Sequence, residues 1–178
     1  MSITTKNGDR GTTRLYTGQE VSKDEPRIEF LGLIDELVSA LGMARSHSSN
    51  PDDRRELIAL QKMLFVAASE VATCSDQGEL LPRRVGAEDV RVLEERMKEL
   101  ERTIPMPGDF ILPGGSPCAA CLDYARAKAR SCERRAVSLQ RADQLDNRDL
   151  MVWLNRLSDY LWLLARHQED KPLLVREA

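Results

Sequence analysis

Between Leu122 and Leu139 the apolar positions Leu122, Ala125, Ala129, Cys132, Ala136 and Leu139 return every three or four residues, and the middle ones are all small. That spacing is the period of an α-helix. A stripe of alanine and cysteine lets a neighbouring helix come closer than leucine would, so the segment demands partner helices. Four further windows supply them. Phe30, Ile34, Leu37, Leu41 and Ala44 share a face between about Pro26 and Ser46, and Leu57, Leu60, Leu64, Ala67 and Val71 share one between about Pro51 and Cys74. Val90, Leu93, Met97, Leu100 and Ile104 do so between about Ala87 and Thr103, as do Leu150, Leu154, Leu157, Leu161 and Leu164 between about Arg148 and Gln168.

Start signals stand where these windows open. Pro26 suits a first helical turn, Asn50-Pro51 reads as cap and first position, and Ser116-Pro117 repeats that pattern before the small-residue helix. Pro105, Pro107, Gly108, Pro113, Gly114 and Gly115 break any regular element, so that stretch is a loop. No strand-like alternation of useful length and no internal repeat is visible. The expected fold is all-α, an up-and-down bundle of five helices, with a core of Leu, Ile, Val, Met and Ala because only 4% of residues are aromatic. A length of 178 residues suits one domain, divided into a glycine-containing N-terminal loop (1–25), the bundle (26–170) and a C-terminal tail (171–178). The first segment sets Gly8, Gly11 and Gly18 among Thr, Lys, Arg and Asp, which reads as a loop ordered on binding or as a floppy tail.

The 26 basic and 29 acidic residues leave a net charge of -3, so no global basic field points to nucleic acid and any anion site must be local. No apolar run approaches the roughly 20 residues of a membrane span, and the first residues lack a signal-peptide core, so a cytoplasmic protein is expected. Cys74, Cys118, Cys121 and Cys132 are too few and too unevenly spaced for a secreted disulfide scaffold. Cys118-Ala-Ala-Cys121 has no second CxxC, and His47 and His167 are distant in sequence, so these cysteines read as small apolar fillers rather than a redox or zinc motif.

Candidate chemistry lies in three places. Thr5-Lys6-Asn7-Gly8-Asp9-Arg10-Gly11-Thr12-Thr13 combines glycines, hydroxyls and cations, the ingredients of a phosphate cradle, but it lacks P-loop spacing, and a disordered leader fits the same composition. Lys23 adds a point charge to such a cradle or is simply exposed. In the fourth helix Arg126, Arg130 and Glu133 fall within roughly 60° of one another, with Arg134 farther round, as a joint site or as a salt-bridged surface stripe. In the fifth, Asn155 and Asp159 lie one turn apart, placed to cap a ligand or to tie two helices. No Ser-His-Asp or Cys-His arrangement, HExxH or Glu-x-x-His pair occurs, so chemistry must come from bound molecules.

Four separated segments, in order, resemble the PduO-type ATP:cob(I)alamin (corrinoid) adenosyltransferases. They are Thr5 to Asp9 continuing through Gly11-Thr12-Thr13 to Lys23-Asp24; Gly32-Leu33-Ile34-Asp35-Glu36-Leu37; Phe110-Ile111-Leu112-Pro113-Gly114-Gly115 with Ala125-Arg126 and its arginine-rich helix; and Leu154 to Leu161. The resemblance implies a homotrimer of five-helix bundles that transfers the 5′-deoxyadenosyl group of ATP to the cobalt of cob(I)alamin and releases triphosphate. It implies ATP, with its Mg²⁺, at each subunit interface, held by Thr5, Lys6, Asn7, Gly8, Lys23, Arg130, Glu133, Arg134 and Asn155. Asp35 and Arg126 would form an inter-subunit ion pair, and Phe110 would displace the corrinoid's lower axial base. Phe110 and Arg130 are the implied catalytic residues, and no protein metal ligand is assigned.

A reductase would supply the electron that makes cobalt(I), and an adenosylcobalamin-dependent enzyme would take the product. Several positions depart from the family's usual pattern: Asn7 stands for Thr, Ser131 and Cys132 for Arg and Ala, Val38 for a small polar residue, and Asp123 for His. Ser131 puts one phosphate contact in question, and Asp123 is expected either to alter the corrinoid-facing surface or to be surface drift. These departures keep a second reading open, a non-catalytic corrinoid or nucleotide carrier.

Overall fold

The computed structural model describes residues 4, 6, 8–73 and 80–177. Its five helices are α1 (Pro26–His47), α2 (Pro51–Val71), α3 (Ala87–Glu101), α4 (Pro117–Arg141) and α5 (Arg148–His167). Side by side they run α2, α1, α4, α5, α3, so α4 sits at the centre between α1 and α5. That position matches its stripe: Leu122, Ala125, Ala129, Cys132, Ala136 and Leu139 are all fully buried, and the small side chains admit a neighbour on each side. The leucines of α5, with Trp153, and the Phe30 to Ala44 face of α1 complete one continuous core.

Caps fix where the helices begin. The Asn50 side chain accepts from Asp52 N at 2.9 Å, Asn147 from Asp149 N at 2.9 Å, and Ser116 from Ala119 N at 3.0 Å. The ends fall slightly earlier than the periodicity suggests. α2 stops at Val71, with the expected end at Cys74 outside the described residues, and α3 stops at Glu101, leaving Ile104 in the closing turn, where its N–H donates to Leu100 O at 3.0 Å. Among the described residues no helix is long and apolar enough to cross a membrane.

Among the described residues, four short strands pair in two ribbons. β1 (Thr12–Arg14) and β2 (Glu20–Ser22) form an antiparallel hairpin, with Thr12 opposite Ser22 and Arg14 opposite Glu20. β3 (Ile111–Leu112) pairs with β4 (Leu173–Leu174), just before a 3₁₀ turn at Val175–Glu177. Strands of two or three residues cannot show alternation, so the sequence read the hairpin region as a loop or floppy tail. Its described part is instead folded: Gly18 takes φ +88° in the turn, and Tyr16 N donates to Ala72 O at 3.2 Å, tying the hairpin to the end of α2.

The three described cysteines are free thiols. Cys118 donates to Ala44 O at 3.4 Å, and burial pushes its thiol up to about 11 and that of Cys132 up to about 12. Both are protonated fillers in the helix contact.

Candidate functional site

The N-terminal hairpin encloses a cleft of about 830 Å³ lined by Lys6, Gly8, Arg10, Thr12, Thr13, Arg14, Glu20 and Lys23. Local geometry follows from the turn residues. Lys6 lies in the left-handed region at φ 60°, Gly11 at φ +81°, and Lys23 N donates to Gly11 O at 2.9 Å, so the loop folds back on the start of α1. Gly8 is where the lysine crosses the loop: a Cβ there would stand 2.9 Å from Lys23 Nζ. Arg14 faces Glu20 at 3.8 Å, whereas Lys6, Arg10 and Lys23 have no ion-pair partner among the described residues. Three cations without an ion pair among the described residues, beside two threonine hydroxyls and glycine backbone, suit a multiply charged anion such as a polyphosphate.

The second group spans α4 and α5. Asn155 Nδ2 donates to Glu133 Oε1 at 2.9 Å, and Arg156 Nη1 donates to Asn155 Oδ1 at 2.7 Å while its Nε reaches Glu94 Oε1 at 2.9 Å. Asn155 is therefore oriented, its amide aimed at the glutamate. Arg134 donates to Ser131 Oγ at 3.0 Å, and Arg130 is exposed with no partner among the described residues. Asp159 is also exposed.

Phe110 stands 83% exposed on the loop before α4, a large apolar side chain offered to something outside this chain. Its backbone is nevertheless held: Val175 N donates to Phe110 O at 2.9 Å and β3 pairs with β4, so residues 173–175 form a strap across the loop rather than a loose tail.

The expected site residues thus fall into separate places. Lys6, Gly8 and Lys23 share the cleft; Glu133 and Asn155 touch across two helices; Arg130 and Arg134 flank them; Phe110 is on its own loop; Thr5 and Asn7 lie outside the described residues. No residue of α4 or α5 lines the cleft. Asp35 is exposed, and among the described residues no ion pair joins it to Arg126, which instead approaches Asp123 at 3.4 Å.

Asp123 itself corrects an expectation. It is not on the surface at all but 4% exposed, accepting from Arg166 Nη2 at 2.6 Å, because α4 turns that position toward α5. Arg10, part of the expected phosphate cradle, lines the cleft, and Arg14, which the sequence pattern does not single out, joins it. The opposite charges at Arg14 and Glu20, directly across the hairpin, were a signal that became readable only with the register known.

Comparison with known proteins identifies the family and the fold. The family model described as cobalamin adenosyltransferase matches residues 3–168. A corrinoid adenosyltransferase PduO of Citrobacter freundii is 41% identical over 170 residues, covering 95% of this chain and 50% of that protein, so the chain spans about half the length of that relative. A second corrinoid adenosyltransferase of Citrobacter freundii is 38% identical over 173 residues, covering 96% of both chains. Among solved structures, a phenylalanine-to-alanine variant of the PduO-type ATP:corrinoid adenosyltransferase from Lactobacillus reuteri, complexed with cobalamin and ATP, superposes with a TM-score of 0.88 at 34% identity, covering 98% of this chain and 99% of that one. With its sequence matched from residue 3 to 168 and its whole bundle superposed, this chain belongs to the cobalamin adenosyltransferase family.

Proposed function

We propose that this protein transfers the 5′-deoxyadenosyl group of ATP to the cobalt of a reduced corrinoid, in the cytoplasm, and releases triphosphate. The observation that carries the reading is the superposition of the fold, over 98% of this chain, on a neighbour solved with both cobalamin and ATP, joined to the cationic cleft of the N-terminal hairpin. In the reaction the cobalt(I) electron pair attacks C5′ of ATP and becomes the Co–C bond, while the C5′–O bond breaks and triphosphate leaves with the C5′–O bonding pair. Cobalt(I) is itself the nucleophile, so the chain's residues orient the reactants and balance charge rather than supply a base.

Lys6 and Lys23, with Thr5, Asn7 and Gly8, would hold the phosphates, where cations stabilise the charge growing on the leaving group. Mg²⁺ would arrive on the phosphates: among the described residues no three His, Cys, Asp or Glu side chains gather to hold a metal. Arg130, Glu133, Arg134 and Asn155 would complete the site from another copy. Their separation from the cleft within one chain supports a site shared between subunits of a homotrimer, with Asp35 of one copy meeting Arg126 of the next. Phe110, already presented to the outside, would cover the lower face of the corrinoid and keep the axial base away, making cobalt(II) easier to reduce by a partner reductase. The product would pass to an adenosylcobalamin-dependent enzyme.

The test is anaerobic mixing of the protein with ATP, Mg²⁺ and chemically reduced cobalamin. Growth of the adenosylcobalamin absorbance with turnover is expected. Tight adenosylcobalamin binding without turnover would instead favour the carrier.

A further inference from the structure

A buried chain of charges runs beneath the Phe110 loop. Arg166, with its side chain 3% exposed, sits between Asp123 at 2.6 Å and Glu169 at 2.5 Å, and its guanidinium lies 5.5 Å from the Trp162 ring centre. Asp123 is shared with Arg126 at 3.4 Å. Two carboxylates and two guanidiniums make the group neutral, which is how a bundle core tolerates it. Its far end is less easily explained: the Glu169 side chain is 1% exposed, yet neither carboxylate oxygen accepts a hydrogen bond. That carboxylate is pressed against Gly115, where any Cβ would overlap it. Beside it, Ser116 Oγ donates to Gln168 O at 2.7 Å, and Gln168 Nε2 donates to Asp53 Oδ2 at 2.6 Å. The segment following α5 therefore grips the loop at Gly115 and Ser116 as well as at Phe110 and β3.

We propose that the Asp123–Arg166–Glu169 chain is a positioning device for the loop that presents Phe110: Arg166, anchored on α4 by Asp123, presses the Glu169 carboxylate against Gly115 and so sets where the loop leaves α4. A core ion pair serving stability alone needs no carboxylate against a glycine Cα. Arg166 and Glu169 do not line the cleft and make no contact with Asn155 or Arg126, so the Glu169 end acts on corrinoid handling and leaves ATP binding alone. This catalytic consequence rests on the adenosyl-transfer reading above; the effect on loop position does not.

The test compares Asp123→Asn and Glu169→Gln with the wild-type full chain. Chymotrypsin cleavage after Phe110, followed by mass spectrometry, reads loop position without reference to activity, and several-fold faster cutting at that bond alone is expected in both variants. With ATP and cobalt(II) cobalamin, both should show less of the axial-base-free electron paramagnetic resonance signal. Both should also lose about tenfold or more in kcat, and in Glu169→Gln, which leaves the Asp123–Arg126 contact in place, the ATP Kd should stay within about twofold. Unchanged cutting after Phe110 in folded variants, or faster cutting at every site in parallel, would overturn the proposal. If Asp123→Asn does not fold, Glu169→Gln, which leaves the Asp123–Arg166 pair in place, decides by the same readouts. A wild-type protein that forms no Co–C bond would sink the adenosyl-transfer reading while the cleavage result still judged the loop.

Discussion

Replacing Gly8 by alanine should weaken ATP binding through one neighbouring side chain and nothing else. The new Cβ would stand 2.9 Å from Lys23 Nζ and 3.1 Å from Lys23 Cε, against the roughly 3.5–4 Å of comfortable contact, so the lysine tip must move by about 0.5–1 Å. Gly8 is not among the positive-φ glycines, and the nearest atoms belong to a flexible side-chain end, so the fold should lose less than about 0.5 kcal/mol. A charge-assisted hydrogen bond to phosphate contributes about 1.5–3 kcal/mol, and a displaced ammonium keeps part of it. Gly8→Ala should therefore raise the ATP Kd by roughly 3–10-fold and Lys23→Ala by roughly 10–100-fold, as measured by isothermal titration. If Gly8 acts through Lys23, the double variant should bind like Lys23→Ala within about twofold. Additive losses, or a fall in Tm large enough to explain the weaker binding, would refute the reasoning.

Phe110→Ala should leave the unfolding free energy within about 0.5 kcal/mol of wild type, since the ring is 83% exposed, while kcat with the corrinoid falls on the order of 100-fold at unchanged ATP Kd; a proportional loss of ATP binding would argue against its separate role. Arg130→Ala, at an exposed position with no partner among the described residues, should be neutral for stability yet raise the KM for ATP roughly 10–100-fold in steady-state assays. Burial pushes the Cys132 thiol up to about 12 and, with Glu56 beside it, raises the Tyr160 hydroxyl as well. Both groups fold in the neutral form, so their stabilisation is complete below the unfolded values near about 8.5 and 10 and is lost as pH climbs toward the folded ones. Melting curves should show Tm falling above about pH 9, with a shallower decline in Cys132→Ala.

The helices were legible because their signals are local. Alternation at a period near 3.6, with Asn50, Ser116 and the early prolines, located all five to within a few residues, and the small stripe of α4 pointed to its close helix contacts though not to its central place. The ribbons were not legible, since β3 and β4 are joined only by pairing across some 60 residues of chain, and a two-residue strand carries no pattern. Asp123 shows the same limit from the other side. A carboxylate in a charged helix reads as solvated unless the arginine it meets, 43 residues away, is known to share its interior. The phosphate-binding character of the first segment was visible in composition, but which cations converge depended on the hairpin that places Arg10 and Arg14 beside Lys6 and Lys23.

Adenosyl transfer to cobalt is set apart from ATP hydrolysis by where ATP is cut. Phosphorus NMR of an anaerobic reaction with reduced cobalamin should show intact triphosphate accumulating one-for-one with the Co–C absorbance, because attack falls on C5′. Appearance of ADP and inorganic phosphate in its place, with no Co–C bond formed, would contradict it.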